Sequence, residues 1–344
     1  MYGSIALCCG RTCKALGDRI AEILGLEPEP VDFIEFSNGN LMINFPGETV
    51  REKDVFVLQS GERSLLQKEE KPCKIVSNDI VELLQMIYAL KDSAGRITAV
   101  TPYFPYARSD KKDKPRIAIT AKMMFDLLES VRADRVLTMN LHCPQSQGFS
   151  NIPVDQLMSF PVFLKKIEEM SYDRMTFLAP DSGSILDNDF LAMHTARAIK
   201  RAGGVPDIST AYVKKERVDD SEHPVVRTVE GVEDLSGRPV IIGDDEILSG
   251  RSLILAAQTA EDKGAEEIYA FITHGILSGQ AVELIQKSSI RKLYITDTVE
   301  FDREKAERIS GTKPDRIETL SVASVFAEAI LRTHEGKSLS SLFL

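Results

Sequence analysis

Short apolar, β-branched runs alternate with amphipathic stretches along nearly the whole chain, and this alternation leaves few folds open. Strands are expected at "SIALCC", "DVFVLQS", "RITAVTPY", "RVLTMNLH", "MTFLAPD", "PVIIGDD", "EIYAFITH" and "KLYITDT". In residues 77–95, Ile80, Leu83, Leu84 and Ile87 recur at helical spacing. "ITAKMMFDLLESV" carries Thr120 where a helix cap would stand. Strand–helix–strand alternation predicts an α/β fold of mainly parallel sheets flanked by helices, because parallel strands must be joined by crossovers that cover both faces. At 344 residues the chain has room for two such units. A break near 155, at "SNIPVDQLMSF", divides it into 1–155 and 156–344. Residues 37–52 and 214–236 lack a sustained apolar period and read as loops, the second charged and mobile.

Composition removes several function classes. A chain that is 43% hydrophobic and 27% charged reads as a globular protein. No stretch approaches the length of a membrane span, and "MYGSIALCCGRTCK" lacks a signal-peptide layout. The cysteines Cys8, Cys9, Cys13, Cys73 and Cys143 are odd in number and lack metal-ligand spacing, which fits free thiols in a reducing cytoplasm. A formal charge of −10 argues against nucleic-acid partners, which are held by basic surfaces. Anionic small molecules stay open as ligands, through local amide nests or Mg²⁺.

Ligands of open α/β sheets bind beyond the carboxyl ends of strands. Three polar clusters fall there: "NLHCPQSQG" after "RVLTM", "PDSGS" after "MTFLA", and "DDEILSGRS" after "PVIIG". In the last, two adjacent carboxylates end a strand that should be dry, where they lose hydration. Either a solvated loop lies here, with Ser249 capping the next helix, or a ligand site does.

"YFPYARSDKKDKPRIAITAK" (103–122), "ADRVLTMNLHCPQSQGF" (133–149), "NIPVDQL" (151–157), "THGILSG" (273–279), "LSVASVFAEAI" (320–330) and "EGKSLSSLF" (335–343) resemble the ribose-phosphate pyrophosphokinases almost end to end. The resemblance implies two similar phosphoribosyltransferase-like domains in a homo-oligomer built from dimers, up to hexamers. It implies Mg²⁺-dependent transfer of the diphosphoryl group of ATP to the anomeric hydroxyl of ribose 5-phosphate. Such chemistry needs alignment and charge neutralisation more than covalent work by the protein. On these terms Arg108, Ser109 and Asp113 contact ATP, with Ser109 standing where the family usually has Gln. Phe36, Asn38 and Asn40 fall at the adenine-contacting loop, although the family commonly has an acidic residue or Gln near Asn40. His142 and Asp181 match metal-linked positions, and Lys215 and Arg217 match the basic pair of a flexible catalytic loop. His142 stands with this pair among the catalytic candidates. Asp244 and Asp245 would take the ribose hydroxyls, and Ser249, Gly250, Arg251 and Ser252 the 5′-phosphate.

Departures from the pattern keep rivals open. The family reads D-D-x-x-D-T-G-G-T where this chain has Leu248 for the third Asp, Arg251 for the second Gly, and serine for both threonines. After Asp181 the family has a glycine pair and then basic residues, where this chain has Ser184, Asp187 and Asp189. The same chemistry on a larger ribosyl phosphate such as ADP-ribose, a catalytically weak regulatory subunit, and a phosphoribosyltransferase are the alternatives.

Overall fold

The computed structural model describes residues 2–47, 49–61, 72–216 and 226–343, with the backbone alone described for 72–75, 215–216 and 226–227. Two parallel sheets carry the architecture. The first has the order β1-β4-β5-β6-β7, from Ile5–Cys9 (β1), Asp54–Leu58 (β4), Arg96–Thr101 (β5), Arg135–Met139 (β6) and Val154–Leu157 (β7). The second has the order β10-β9-β8-β11-β12-β13-β14. Its strands are Arg174–Ala179 (β8), Asp207–Glu216 (β9), Val226–Glu230 (β10), Val240–Ile247 (β11), Ile268–Gly275 (β12), Ile290–Thr296 (β13) and Ile317–Leu320 (β14). Only β10 in this sheet runs antiparallel, against β9. A hairpin of Asp32–Glu35 (β2) and Leu41–Asn44 (β3) stands apart.

Every expected strand is present. Every residue of β4 and of β12 is buried, the pattern of strands covered on both faces. Helices Lys14–Leu24 (α1), Pro72–Leu90 (α2) and Thr120–Ser130 (α3) cover the first sheet. On the second, Phe160–Met170 (α4) and Ile185–Arg201 (α5) cover one face, and Arg251–Glu261 (α6), Ala281–Lys287 (α7) and Arg303–Ser310 (α8) the other. The last helix, Ala323–His334 (α9), returns to pack on α1, placing Phe326 and Ile330 against Leu16 and Ile20. Among the described residues no helix is long and apolar enough to cross a membrane. Cys8, Cys9, Cys13 and Cys143 are free thiols, and burial pushes Cys9 up to about 12.

Three local expectations change. Segment 37–52 contains β3, because Ile43 tucks into the core beside Phe33 while its neighbours Met42 and Asn44 face outward. Segment 214–236 contains β10, paired through Val229 opposite Val213; residues 217–225, where mobility was expected, lie outside the described residues. Thr120 opens α3 without capping it, and its hydroxyl lies 3.3 Å from that of Ser109.

One buried cluster fastens the chain's end to its beginning. Asp54, fully buried at the start of β4, accepts from Arg96 Nε at 2.9 Å and meets His334 Nδ1 at 2.9 Å. Arg96 also donates to the carbonyl of Thr333 at 3.0 Å. Removing one partner of a buried ion pair leaves the other charge stranded. Arg96→Met should therefore lower the unfolding free energy by about 3–5 kcal/mol, read from urea unfolding. A loss below about 1 kcal/mol would mean that His334 suffices to hold Asp54.

Candidate active site

The second sheet reverses its winding between β8 and β11: β9 lies on one side of β8, while the later strands continue from β11 on the other. Crevices at such switch points are where open α/β sheets bind ligands. A cleft of about 570 Å³ opens here and extends to the carboxyl end of β6 in the first sheet. It gathers Arg108, His142, Asp181, Asp187, Asp244, Asp245 and the turn Ser249–Ser252. Phe36, Asn38, Asn40, Ser109, Asp113 and Asp189 are not among its lining residues. Phe36, Asn38 and Asn40 sit on the β2–β3 turn, and Ser109 bonds back to the start of α3. Arg217 lies outside the described residues, and of Lys215 only the backbone is described, in β9 opposite Arg227.

Local geometry explains how the acids reach the cleft. Gly243 approaches Asn188 of α5 so closely that a Cβ there would meet Asn188 Oδ1 at 2.7 Å. Gly243 N donates to that oxygen at 3.0 Å, while Asn188 Nδ2 donates to the Gly243 carbonyl at 2.8 Å. This buried amide fixes the backbone just before Asp244. Ser249 caps nothing by its side chain; Gly250, at φ 76°, is the cap residue of α6, a conformation that favours glycine. The amides at the start of α6 are thereby aimed into the cleft without a side-chain competitor. Asp181 Oδ1 accepts from Gly183 N at 2.9 Å.

From the first sheet, Asn140 takes φ 41°, a left-handed turn that asparagine tolerates, and redirects the chain after β6. Its Oδ1 accepts from Ser159 N at 2.8 Å. His142 then reaches across to Asp245, with Nδ1 to Oδ2 at 2.7 Å. The bond to Asp245 raises the histidine's pKa against the opposing effect of burial. Burial pushes Asp245 up, but the His142 hydrogen bond and charge outweigh it and hold Asp245 below the usual range. Asp244 goes the other way, well above the usual carboxylate value, through burial and the repulsion of Asp245 and Asp181. Burial and Asp245 also raise Asp187. The acidic pair is thus split into one fixed anion and one reluctant one.

Four positions in the cleft or directly beneath it escaped the sequence reading. Glu246 continues the acidic pair into the cleft with a side chain only 5% exposed. Tyr103 donates to Glu246 Oε2 at 3.2 Å. Asn140 sets the turn, and His274 lies buried beneath it. The signal for Glu246 was its place directly after Asp244-Asp245, and for His274 its place in "THGILSG".

His274 Nε2 lies 3.1 Å and 3.2 Å from the carbonyls of Met139 and Asn140, so Nε2 carries the proton. Nδ1 accepts from Thr298 at 2.9 Å. Burial lowers this histidine from 6.5 to about 4. Between those values the unfolded chain binds a proton that the folded chain refuses. The contribution of His274 is thus complete above about 6.5 and is lost as pH falls toward 4. Relative to His274→Gln, the wild type should lose roughly 3 kcal/mol across that window in urea unfolding. A constant difference between the two proteins would mean that His274 protonates in place.

Comparison with known proteins identifies the family. The family described as the N-terminal domain of ribose phosphate pyrophosphokinase matches residues 5–132, and the phosphoribosyl synthetase-associated domain matches 206–344. A ribose-phosphate pyrophosphokinase of Caldanaerobacter subterraneus subsp. tengcongensis is 39% identical, covering 99% of this chain and 98% of the relative. The chain belongs to the ribose-phosphate pyrophosphokinase family. Ribose-phosphate pyrophosphokinase 2 of Schizosaccharomyces pombe is 36% identical over 99% of this chain and 97% of its own length. The crystal structure of phosphoribosylpyrophosphate synthetase from Mycobacterium smegmatis superposes with a TM-score of 0.79 at 30% identity, over 97% of this chain and all of that one.

Proposed function

We propose that the cleft transfers the diphosphoryl group of ATP to ribose 5-phosphate. The anomeric hydroxyl oxygen attacks the β-phosphorus and gives up its proton to solvent. The bond from the β-phosphorus to the α,β-bridging oxygen breaks, and that oxygen leaves on AMP, giving phosphoribosyl pyrophosphate. The observation that carries this reading is the meeting of Asp244 and Asp245 with the Ser249–Ser252 turn in one cleft, within a chain whose full-length relatives bear that enzyme name. The acidic pair would bind the ribose hydroxyls, and the amides leading into α6 the 5′-phosphate. Arg108 would contact the ATP polyphosphate. Phe36, Asn38, Asn40, Ser109 and Asp113 remain proposed ATP contacts, and Lys215 and Arg217 the closing catalytic pair. A division into domains near 155 and assembly into dimer-based homo-oligomers belong to the same reading.

Mg²⁺ is proposed as the cofactor. Among the described residues no three side chains are arranged to hold a metal, so an ion here would rely on phosphate oxygens plus His142 and Asp181. The excess of carboxylates over cations in the lining suits a hard cation arriving with an anionic substrate. When bound, it would neutralise charge on the phosphoryl oxygens.

The protein incubated with MgATP and ribose 5-phosphate should release AMP. Failure to do so would support the regulatory-subunit or phosphoribosyltransferase reading. Lys215→Ala should lower kcat on the order of a hundredfold while changing MgATP affinity far less, because the charge it meets develops in the transition state. An unchanged kcat would remove Lys215 from the mechanism. Arg251 lines the cleft as an added cation, which keeps ADP-ribose in view as acceptor. The kcat/KM ratio for the two acceptors, in wild type and in Arg251→Gly, separates them. Preference for ribose 5-phosphate with an unmoved ratio is the expected result.

A further inference from the structure

The geometry points to Glu246 as a positioning residue for Arg108, an element of the nucleotide subsite. The inference rests on the reading of Arg108 as a polyphosphate contact. Glu246 extends from β11 of the second sheet, while Arg108 belongs to the segment after β5 of the first. Arg108 Nη1 approaches Glu246 Oε1 to 3.1 Å, an ion pair without hydrogen-bond alignment. Glu246 Oε1 is fully buried and has no hydrogen-bond partner. The other oxygen accepts from Tyr103 at 3.2 Å, and Tyr103 is itself buried, edge-on to His274 with ring centroids 4.8 Å apart.

A carboxylate so enclosed is held by its surroundings, and burial together with Asp245 raises its pKa while Arg108 opposes the rise. The guanidinium paired with it is 54% exposed at the cleft, and His142 also bears on the carboxylate. A guanidinium has five N–H donors in a rigid fork. One corner resting on Glu246 leaves the others free to meet phosphate oxygens, with much of the ordering cost already met. Without Glu246 the same side chain would sample many rotamers in a cleft crowded with Asp181, Asp187 and Asp244. The chemical class served is the polyphosphate of a nucleoside triphosphate.

The test is a double-mutant cycle on MgATP affinity, measured by equilibrium binding, with thermal midpoints recorded for each protein. Arg108→Ala and Glu246→Leu should each weaken MgATP by roughly five- to tenfold, and the double variant no more than Arg108→Ala alone. The KM for ribose 5-phosphate and the kcat at saturating MgATP should stay within about twofold in Glu246→Leu. Glu246→Gln, which keeps an acceptor oxygen, should recover most of the affinity. If Glu246→Leu fails to fold, Glu246→Asp replaces it, and should weaken MgATP in the wild-type background and not beside Arg108→Ala. Additive losses would assign Glu246 a general packing role, and tighter binding without the carboxylate would make it a competitor of phosphate; either overturns the inference. A wild type that binds no MgATP, or an Arg108→Ala variant that binds it normally, would overturn the reading of Arg108 itself, a result distinct from additivity.

Discussion

Asp244, Asp245 and Glu246 stand in succession on a strand whose preceding residues, Val240 to Ile242, are fully buried. Three carboxylates cannot share a dry strand end unless other groups compensate them. Their compensation comes from the other sheet. His142, thrown across by the turn at Asn140, holds Asp245 as the anion, and Arg108 and Tyr103 face Glu246. Asp244 accepts from the Asp245 amide at 3.1 Å, but burial and the repulsion of Asp245 and Asp181 outweigh that bond and hold its pKa well above the usual value. The two sheets must abut where they do, because each supplies what the other's strand ends lack.

Beneath this polar layer lies a neutral one that fixes the spacing. His274 on β12 joins the end of β6 through the Met139 and Asn140 carbonyls, and Thr298 takes its other nitrogen. Ser159 and Thr273 meet at 2.7 Å, and Ser60 donates to the Thr298 carbonyl at 2.8 Å. The bonds of His274 to Met139 and of Ser60 to Thr298 cross between the halves and lie buried, where an unmade bond is costly. A neutral His274 suits the place: burial disfavours its charged form, and its Nε2 proton is committed to the Met139 and Asn140 carbonyls, which leaves His142 to bond Asp245. The geometry of the charged layer thus depends on an uncharged one.

The strands and the clustered ends were legible because apolar periodicity reports burial, and burial is what makes a parallel sheet. "MTFLAPD" and "PVIIGDD" announced both the strands and the site at their ends. The hairpin strand Leu41–Asn44 was less visible, since only Leu41 and Ile43 face inward and Met42 interrupts the alternation of polarity. Of the two readings open for the turn at 249–252, the one with Ser249 as a side-chain cap does not hold: the backbone turn at Gly250 takes that place. Glu246 and His274 could not be read as partners of Arg108 and Asn140. Their contacts join residues more than a hundred positions apart, and no local period encodes that.

The departures in "GDDEILSGRS" gain a physical sense from Tyr103. The family pattern places its third acid at the position of Leu248, next to the turn that leads into α6. Here that position is apolar, and Leu248 packs with Tyr103, Ile276 and Val299. The carboxylate reappears two residues earlier as Glu246, taking the hydroxyl of the same tyrosine. One ring therefore accommodates both changes, with its body against Leu248 and its polar end on Glu246. The loop keeps its count of acids while moving one from the amino end of α6 toward Arg108. An acid at the start of a helix competes with anions for the helix's free amides. Moving it away, and setting Arg251 at the first turn, makes that end more favourable to a negative group. The displaced charge meanwhile sits against a guanidinium that it can orient. A substitution that looks like the loss of a site residue is, in this light, a relocation of charge within the same cleft.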